Sequence, residues 1–347
     1  MSSAILKLAL LKISWIYLGA AKLRVWLYSK DLLRTRHLPC KVISVGNIIA
    51  GGSGKTPTVI AIARMLRERP KLSVAVLSRG YRSKTRCSTV VSDGEEILLE
   101  PVEAGDEPYL LGHSLPGIPV LIGKDRFQTG LMAVRRWGCQ VAILDDGFQH
   151  LRLARDIDIV IVDATRPFGL DHVLPRGYLR EPLSALNRAD LILLTRVDQC
   201  ENLDSVRDRL TQIAPSIPIF ESIYKPRSLR SLDADQEMGL DTVKGKNILA
   251  VCGIANPLSF AETVRSLGAA KVELLPFPDH HEYPSSSMEM IGRRATEVGA
   301  DIIVTTEKDA TKLRHVADYL LLSLAVDLEL VGSTAKEFAK IIGLSVN

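Results

Sequence analysis

This sequence of 347 residues lacks paired cysteines, long uncharged apolar runs and a basic surface spread along the chain. The five cysteines stand apart and form no C-x-x-C pair: Cys40, Cys87, Cys139, Cys200 and Cys252. This spacing argues against a zinc site or a disulfide framework, and it suits a reducing compartment. The ordinary composition also excludes a disordered or collagen-like chain.

Positive charge is concentrated at the N-terminus. Residues 1–41 contain eight Lys or Arg and one acidic residue, a net charge of +7, whereas the whole chain carries +4. The remaining residues therefore sum to −3. A nucleic-acid-binding protein needs a basic stripe on its folded body, so we expect no nucleic-acid partner.

The N-terminal segment, residues 1–40, is apolar but interrupted by charge. Its longest uncharged run, 13–21, has nine residues, whereas a bilayer-spanning helix needs about 20. We predict a helix at the membrane interface, with Trp15, Tyr17 and Trp26 toward the lipid and basic residues outward. The alternatives are a helix packed on the protein's own core and a cleaved signal peptide.

Strand and helix patterns alternate through the rest of the chain, which predicts an α/β fold. Most predicted strands are continuous Val, Ile and Leu runs, as expected for a mostly parallel sheet covered on both faces. We predict a phosphate-loop NTPase-like core at 41–225, a polar linker or domain seam near 226–246 and a smaller α/β domain at 247–347.

A glycine-rich turn between a predicted strand and helix resembles a phosphate loop. Residues 46–58 read GNIIAGGSGKTPT, whereas the usual G-x-x-x-x-G-K-[ST] pattern places glycine at the position of Ile49. Backbone N–H groups at such a turn bind phosphate, Lys55 reaches the β- and γ-phosphates, and Thr56 ligates Mg²⁺. The predicted nucleotide-binding loop residues are Gly51, Gly52, Ser53, Gly54, Lys55 and Thr56. The alternative is a bare glycine turn.

An apolar strand that ends in two acids follows later in the chain. Residues 141–150 read VAILDDGFQH, so Asp145 and Asp146 close the strand. Phosphate-loop enzymes place a carboxylate for Mg²⁺ in this way, and adjacent carboxylates repel each other unless a cation lies beside them. The alternative is an ordinary acidic strand-to-turn junction.

Three further motifs carry ionisable side chains. In GDEP, the spacing of Asp106 and Glu107 by itself favours a helix cap followed by proline. In FPDHHEY (277–283), histidines beside acids suggest an acid–base group or a metal site, and the metal is less favoured because adjacent histidines do not easily point at one ion. Arg180 and Glu181 form a charged turn.

Taken together, these motifs resemble one family. GNIIAGGSGKTPT, SRGYRSK (78–84), GDEPYLL (105–111), LDDGFQH (144–150), LREP (179–182), CGIANP (252–257), FPDHHEY and TTEKDA (305–310) occur in the order found in tetraacyldisaccharide 4'-kinases. The resemblance runs from the N-terminal helix to about residue 315. The glycine loop is not specific to that family, but DDGFQH joined to GDEP and DHH is.

The resemblance implies a membrane-associated lipid kinase on the cytoplasmic face of the bacterial inner membrane. Such an enzyme transfers the γ-phosphoryl group of ATP, with Mg²⁺, to the 4'-hydroxyl of a tetraacyldisaccharide 1-phosphate in lipid A assembly. The family's paired-glycine loop also lacks the first glycine, so Ile49 is expected there.

The resemblance also implies roles for individual residues. The implied catalytic residues are Asp106, which abstracts the proton, with Glu107, His280, Lys55 and Arg126. The implied metal ligands are Thr56, Asp145 and Asp146. The implied nucleotide contacts beyond the loop are Gln149, His150, Arg180 and Glu181. His280 is preferred to His281 as the partner of Asp106.

Two other classes of function stay open at the level of sequence. The first is a regulatory GTPase, a class that binds guanine through an N-K-x-D motif. The place of that motif would be taken by Thr195-Arg196-Val197-Asp198, although the asparagine is missing. A non-enzymatic peripheral membrane protein that binds nucleotide would form no phosphorylated lipid.

Overall fold

A computed structural model describes residues 3–52, 54–81, 83–85, 87–234, 236–313, 315–316, 318–332 and 335–343 of the chain. The strands are β1 Lys41–Asn47, β2 Val74–Ser78, β3 Thr89–Ser92, β4 Val120–Ile122, β5 Val141–Asp145, β6 Ile157–Asp163, β7 Leu191–Thr195, β8 Ile219–Ser231, β9 Glu237–Met238, β10 Asn247–Cys252, β11 Lys271–Pro276, β12 Ile302–Thr306 and β13 Leu320–Leu330. The helices are α1 Ser3–Ser29, α2 Lys55–Arg67, α3 Pro101–Ala104, α4 Asp106–Ser114, α5 Arg126–Trp137, α6 Leu203–Ile213, α7 Pro257–Ser266, α8 Ser285–Val298, α9 Glu307–Ala310 and α10 Ala335–Ile341.

These strands form one continuous sheet. Its order is β11-β10-β12-β13-β8-β7-β6-β1-β5-β2-β4-β3, and β9 pairs with β8. Neighbours are parallel except at β13–β8, β8–β9 and β3–β4. The α/β class predicted from the alternating pattern is therefore confirmed, because parallel strands need helical crossovers between them.

The central strands are buried on both faces, as their unbroken apolar runs predicted. Every residue of β2, β5, β6 and β7 is buried, and so are all residues of β1 after Lys41. β1 lies between β5 and β6, with parallel pairing on each side. The carboxyl ends of these strands therefore open at the same edge of the sheet, where ligands bind in α/β folds.

β8 and β13 connect the two halves of the sheet. β8 pairs with β7 through 219–222 and then runs antiparallel to β13 through 222–231. A register shift between Ala325 and Val326 lies opposite Pro226, where a residue without an N–H is tolerated. The interpretation of 226–246 as a linker is thus wrong for 226–231, which continue β8. The proposed division into domains stays a prediction.

α1 packs on the rest of the protein by one narrow face. The Ser14 hydroxyl donates to the Val173 carbonyl oxygen at 3.0 Å and accepts from the Arg176 N–H at 3.1 Å. Leu18 packs on the apolar cluster around β6 and β7. Among the described residues, no helix combines the length and the apolarity that crossing a bilayer requires.

Candidate active site

The phosphate loop joins β1 to α2 and depends on its glycines. Gly51 and Gly54 have φ values of 109° and 83°, in the left-handed region that favours glycine. A Cβ at Gly54 would overlap the Tyr224 hydroxyl and lie 2.6 Å from Tyr224 Cζ. That hydroxyl donates to the Gly54 carbonyl oxygen at 3.1 Å, so the loop rests on β8. The predicted Ser53 lies outside the described residues.

Ile49 stands where the usual loop has its first glycine, and it belongs to a short backbone ladder. Residues 48–50 run antiparallel to 178–180, and the Ala50 and Arg180 N–H groups each donate across at 2.7 Å. Extended backbone suits isoleucine, so glycine is not needed here. The ladder also carries the Arg180 side chain to the acids after β5.

Lys55 and Arg180 both contact Asp146. Lys55 is the first residue of α2, and its Nζ lies 3.6 Å from Asp146 Oδ1. Arg180 Nη1 donates to both Asp146 oxygens, at 3.0 and 2.9 Å. Burial alone would raise the pKa of Asp146, but Lys55 and Arg180 bring the pKa below its usual value. Thr56 follows Lys55 and is half-buried.

Asp145 is the last residue of β5 and is almost fully buried. Its Oδ2 accepts from the Ser78 hydroxyl at 2.8 Å, whereas its Oδ1 is buried without a hydrogen-bond partner among the described residues. Burial, then the charges of Glu107 and Asp146, raise the pKa of Asp145 to about 7. A buried carboxylate oxygen with no hydrogen-bond donor is chemically suited to ligate a cation.

The acidic pair fits Mg²⁺ better than a transition metal. Its donors are carboxylate oxygens, the ligands that Mg²⁺ prefers. Among the described residues, no group of three or more His, Cys, Asp and Glu side chains could enclose an ion. Mg²⁺ in nucleotide sites usually takes one or two carboxylates and completes its shell with phosphate and water. The predicted ligands Asp145, Asp146 and Thr56 match that pattern.

Arg126 lies buried beneath the acids at the start of α5. Its Nη1 donates to the Gly123 carbonyl oxygen at 3.1 Å and its Nη2 to the Asp145 carbonyl oxygen at 3.4 Å. Burial lowers the pKa of Arg126 to about 10, so it is still a cation at neutral pH. Its charge faces the carboxylates of Asp145 and Asp146.

Asp106 and His280 meet although they are 174 residues apart. Asp106 is the first residue of α4, and its Oδ2 lies 3.0 Å from His280 Nδ1. His280 follows β11 with a φ of 60°, and its ring lies 5.4 Å from that of Tyr81. His281 instead contacts the Ser287 hydroxyl at 2.8 Å. The geometry therefore favours His280 over His281, as predicted.

Two lysines beside Asp106 and His280 were not predicted. Lys312 Nζ lies 2.6 Å from Asp106 Oδ2, and Lys308 Nζ lies 2.7 Å from Asp279 Oδ1. Both belong to the stretch TTEKDATK, where their spacing of four residues puts them on one side of a helical turn. TTEKDA is one of the family motifs, but the sequence assigned no role to either lysine.

One cleft connects the phosphate loop with these residues. Its lining includes Gly52, Gly54, Lys55, Thr56, Glu107, Asp279 and Lys308. The loop and Glu107 come from the first half of the chain, whereas Asp279 and Lys308 come from the second. The described part of the sheet thus brings the phosphate loop and Glu107 to the same opening as Asp279 and Lys308, the neighbours of His280.

The remaining predicted nucleotide contacts lie near the acidic pair. Gln149 Nε2 donates to the Asn47 carbonyl oxygen at 2.9 Å. Burial and the charge of Arg126 lower the pKa of His150 to about 4, so its ring is neutral near pH 7. Glu181 is buried and accepts from Arg188 at 2.6 Å, an ion pair inside the protein rather than at the loop. Roles for these residues stay predictions.

Comparison with known proteins identifies the family. A family model described as tetraacyldisaccharide-1-P 4'-kinase matches residues 6–344. The chain belongs to this family. Tetraacyldisaccharide 4'-kinase of Syntrophus aciditrophicus is 46% identical over 343 residues, which cover 95% of this chain and 90% of the relative. The same enzyme of Halothermothrix orenii is 42% identical over 303 residues, covering 84% and 78%.

A solved member of the tetraacyldisaccharide 4'-kinase family has the same fold. The crystal structure of LpxK from Aquifex aeolicus in complex with ATP superposes with a TM-score of 0.76 at 32% identity. The match covers 97% of this chain and 98% of that chain. The family predicted from the motifs is confirmed, and this membership decides against the GTPase and the non-enzymatic alternatives.

Proposed function

We propose that this chain transfers the γ-phosphoryl group of ATP to the 4'-hydroxyl of a tetraacyldisaccharide 1-phosphate. One observation carries this proposal: the phosphate loop lines one cleft together with Glu107, Asp279 and Lys308, which are the immediate neighbours of Asp106 and His280. A nucleotide site alone would not need the Asp106–His280 pair, whereas phosphoryl transfer to a hydroxyl needs both that pair and the phosphate loop.

The phosphate half of the site supplies positive charge and oxygen ligands. Lys55 and the N–H groups at the start of α2 face the phosphates, where helix N-termini bind anions. Asp145, Asp146 and Thr56 would hold Mg²⁺, which would supply charge neutralisation at the β- and γ-phosphates. Arg180 holds the Asp146 carboxylate in place, and Arg126 holds the backbone carbonyl of Asp145.

The acceptor half of the site orients the sugar hydroxyl. Burial would raise the pKa of Asp106, but hydrogen bonds from His280 and Lys312 bring the pKa below its usual value, so Asp106 is a carboxylate at neutral pH. Such a carboxylate is a weak base for a hydroxyl. In a loose transition state the proton leaves late, so the orientation of Asp106 by His280 matters more than its basicity.

We also propose that α1 lies on the cytoplasmic face of the inner membrane. Its side opposite Ser14 exposes large apolar residues: Trp15 at 70%, Ile16 at 74%, Leu23 at 54% and Trp26 at 50%. Lys12, Lys22 and Arg24 are exposed around them. An apolar stripe with a basic rim is typical of helices that bind anionic membrane surfaces.

The same helix touches the site directly. The Tyr17 hydroxyl donates to the Arg180 carbonyl oxygen at 3.0 Å, and Arg24 donates to the Gln149 carbonyl oxygen at 3.2 Å. A membrane that holds α1 would therefore lie near the cleft. The acyl chains of the lipid can then stay in the bilayer while its headgroup reaches Asp106.

The activity is tested with radiolabelled ATP, Mg²⁺ and the disaccharide 1-phosphate lipid, followed by chromatography of the lipid fraction. We expect a labelled lipid with one additional phosphate. Lys55→Ala should abolish the product. Asp241→Asn, at an exposed position in a surface turn, is the control and should keep full activity. Absence of labelled lipid with the wild-type protein would refute the proposal.

The role of Asp106 is tested by Asp106→Asn. We expect kcat to fall by about 10²–10⁴-fold, the range for an acid–base or orienting group, while the Kd for ATP stays within about twofold. Equilibrium binding of an ATP analogue measures the second quantity. A matching loss of ATP binding would show that Asp106 supports the nucleotide site instead.

The membrane proposal is tested by Trp15→Ser combined with Ile16→Ser, which removes exposed apolar area and leaves Ser14 and Leu18 in place. We expect the double variant to co-sediment less with phosphatidylglycerol vesicles than the wild type does. The wild type itself should bind less at high salt than at low salt, because salt screens the attraction between its basic residues and the anionic lipid. Leu258→Ser, at another exposed apolar position, is the control. Equal binding by all three proteins would contradict the proposal.

A further inference from the structure

Lys312 is a buried lysine whose donors are all used. It lies in the turn after α9, with its side chain 10% exposed. Its Nζ contacts Asp106 Oδ2 at 2.6 Å, Glu282 Oε1 at 3.0 Å and the His281 carbonyl oxygen at 3.3 Å. An ammonium has three N–H donors, and burying one is costly unless it is paired. A solvent-exposed ion pair, by contrast, contributes little to the stability of a protein.

The contact joins the two halves of the chain at the reacting group. Asp106 belongs to the first half, whereas His280 and Lys312 belong to the second. Among the described residues, both partners of Asp106 bind Oδ2. The lone pairs of Oδ1 are then available for the acceptor hydroxyl.

A second lysine fixes the histidine tautomer. Lys308 Nζ lies 3.4 Å from His280 Nε2 as well as 2.7 Å from Asp279 Oδ1. An ammonium only donates, so the contact with Lys308 requires Nε2 to accept, and Nδ1 then carries the hydrogen that His280 donates to the Asp106 carboxylate.

Several charged and titratable groups lie around Asp106, and they come from four elements. They are Tyr81 in the loop after β2; Glu107 on α4; Asp279, His280, His281, Glu282 and Tyr283 in the loop after β11; and Lys308, Asp309 and Lys312 in α9 and the turn after it. Without Lys312, the Asp106 carboxylate would face an excess of negative charge.

We propose that Lys312 is a positioning residue for the phosphoryl transfer, which holds the Asp106 carboxylate in place for the acceptor hydroxyl from across the boundary between the two halves of the chain. This inference rests on the proposed kinase function. Lys312 does not exchange a proton with the substrate. It acts through Asp106, whose orientation and charge it sets.

The test compares the pH dependence of kcat for wild type, Lys312→Met and Lys312→Arg. We expect Lys312→Met to lower kcat at least tenfold at neutral pH, with the KM for ATP within about twofold. Its acid limb should move up by about one pH unit, because an opposite charge near a carboxylate shifts its pKa by that order. Lys312→Arg keeps the charge and should keep the limb near its wild-type position. Lys271→Met, at an exposed ion pair, is the control.

A merely structural role would give a different result. It would lower kcat equally at every pH, or raise the KM for ATP, and either outcome overturns the proposal. Loss of folding in Lys312→Met is detected by thermal melting, and the decision then comes from ¹⁵N NMR of His280 in the wild-type protein. Hydrogen on Nδ1 and none on Nε2 supports the proposal, and hydrogen on Nε2 overturns it. The NMR result does not depend on activity, so it separates this inference from the kinase assignment.

Discussion

Replacing Gly54 by alanine tests how the phosphate loop is supported. The backbone at Gly54 has a φ of 83°, and an L-residue in the left-handed region costs roughly 1–2 kcal/mol. The new Cβ would also lie 2.6 Å from Tyr224 Cζ, so the ring must move away. This movement breaks the hydrogen bond from Tyr224 to the Gly54 carbonyl oxygen, a net loss of about 0.5–1.5 kcal/mol.

These terms add to about 1.5–3.5 kcal/mol, which we expect to appear as an ATP affinity about 10–300-fold weaker. Isothermal titration calorimetry with Mg²⁺ and a non-hydrolysable ATP analogue measures the effect. Gly239→Ala is the control, because a Cβ there meets nothing within 4 Å and φ is −70°. Its affinity should match that of the wild type.

A double-mutant cycle with Tyr224→Leu separates the steric part from the backbone part. If the tyrosine ring causes the clash, the double variant should lose less affinity than the two single losses combined, with a coupling of about 1 kcal/mol or more. Unchanged affinity in Gly54→Ala, or additivity in the cycle, would refute the reasoning.

Three further predictions follow from buried polar groups. Asp145→Asn should raise the melting temperature of the ligand-free protein by a few degrees at about pH 8 and by less at about pH 5. Burial raises the pKa of Asp145 to about 7. Ionising this carboxyl therefore destabilises the folded wild type increasingly as the pH rises from about 4 to about 7, and asparagine removes that cost. Differential scanning fluorimetry measures this, and a pH-independent gain would contradict it. Asn256→Ala should lower the free energy of unfolding in urea by about 1–3 kcal/mol, because its amide donates to Asp163 at 3.3 Å in a buried site; an unchanged midpoint would contradict that. His150→Gln should leave the pH profile of kcat unchanged between about pH 5.5 and pH 8, because burial lowers the pKa of His150 to about 4; a shifted limb would show that His150 titrates.

The local parts of the fold could be predicted well. The sequence patterns predict strands at 120–122, 191–195 and 247–252 and a helix at 285–298, and β4, β7, β10 and α8 have these bounds. Most other predicted elements shift by one or two residues at their ends. The apolar residues of these segments follow the spacing of a strand or of a helix. Each segment therefore indicates its own secondary structure without information from the rest of the chain.

One strand that the sequence patterns did not predict, β8, shows where that reasoning stops. β8, Ile219–Ser231, contains Pro226 and several charged residues, and its buried side alternates Phe220 with Ser222 and Tyr224. Its apolar signal is weak because one partner is parallel, the other is antiparallel, and polar side chains face outward. Only the pairing with β13 makes it a strand.

The sequence by itself determined the family, the phosphate loop and the acids that close β5, because each of these depends on residues close together along the chain. The tertiary structure alone decided that Arg180 reaches Asp146, that His280 rather than His281 meets Asp106, and that Lys312 completes that contact. Those contacts depend on which strands lie side by side and on how β8 and β13 join the two halves. The order of strands in a sheet is set by packing between distant segments, and no local pattern of residues encodes it.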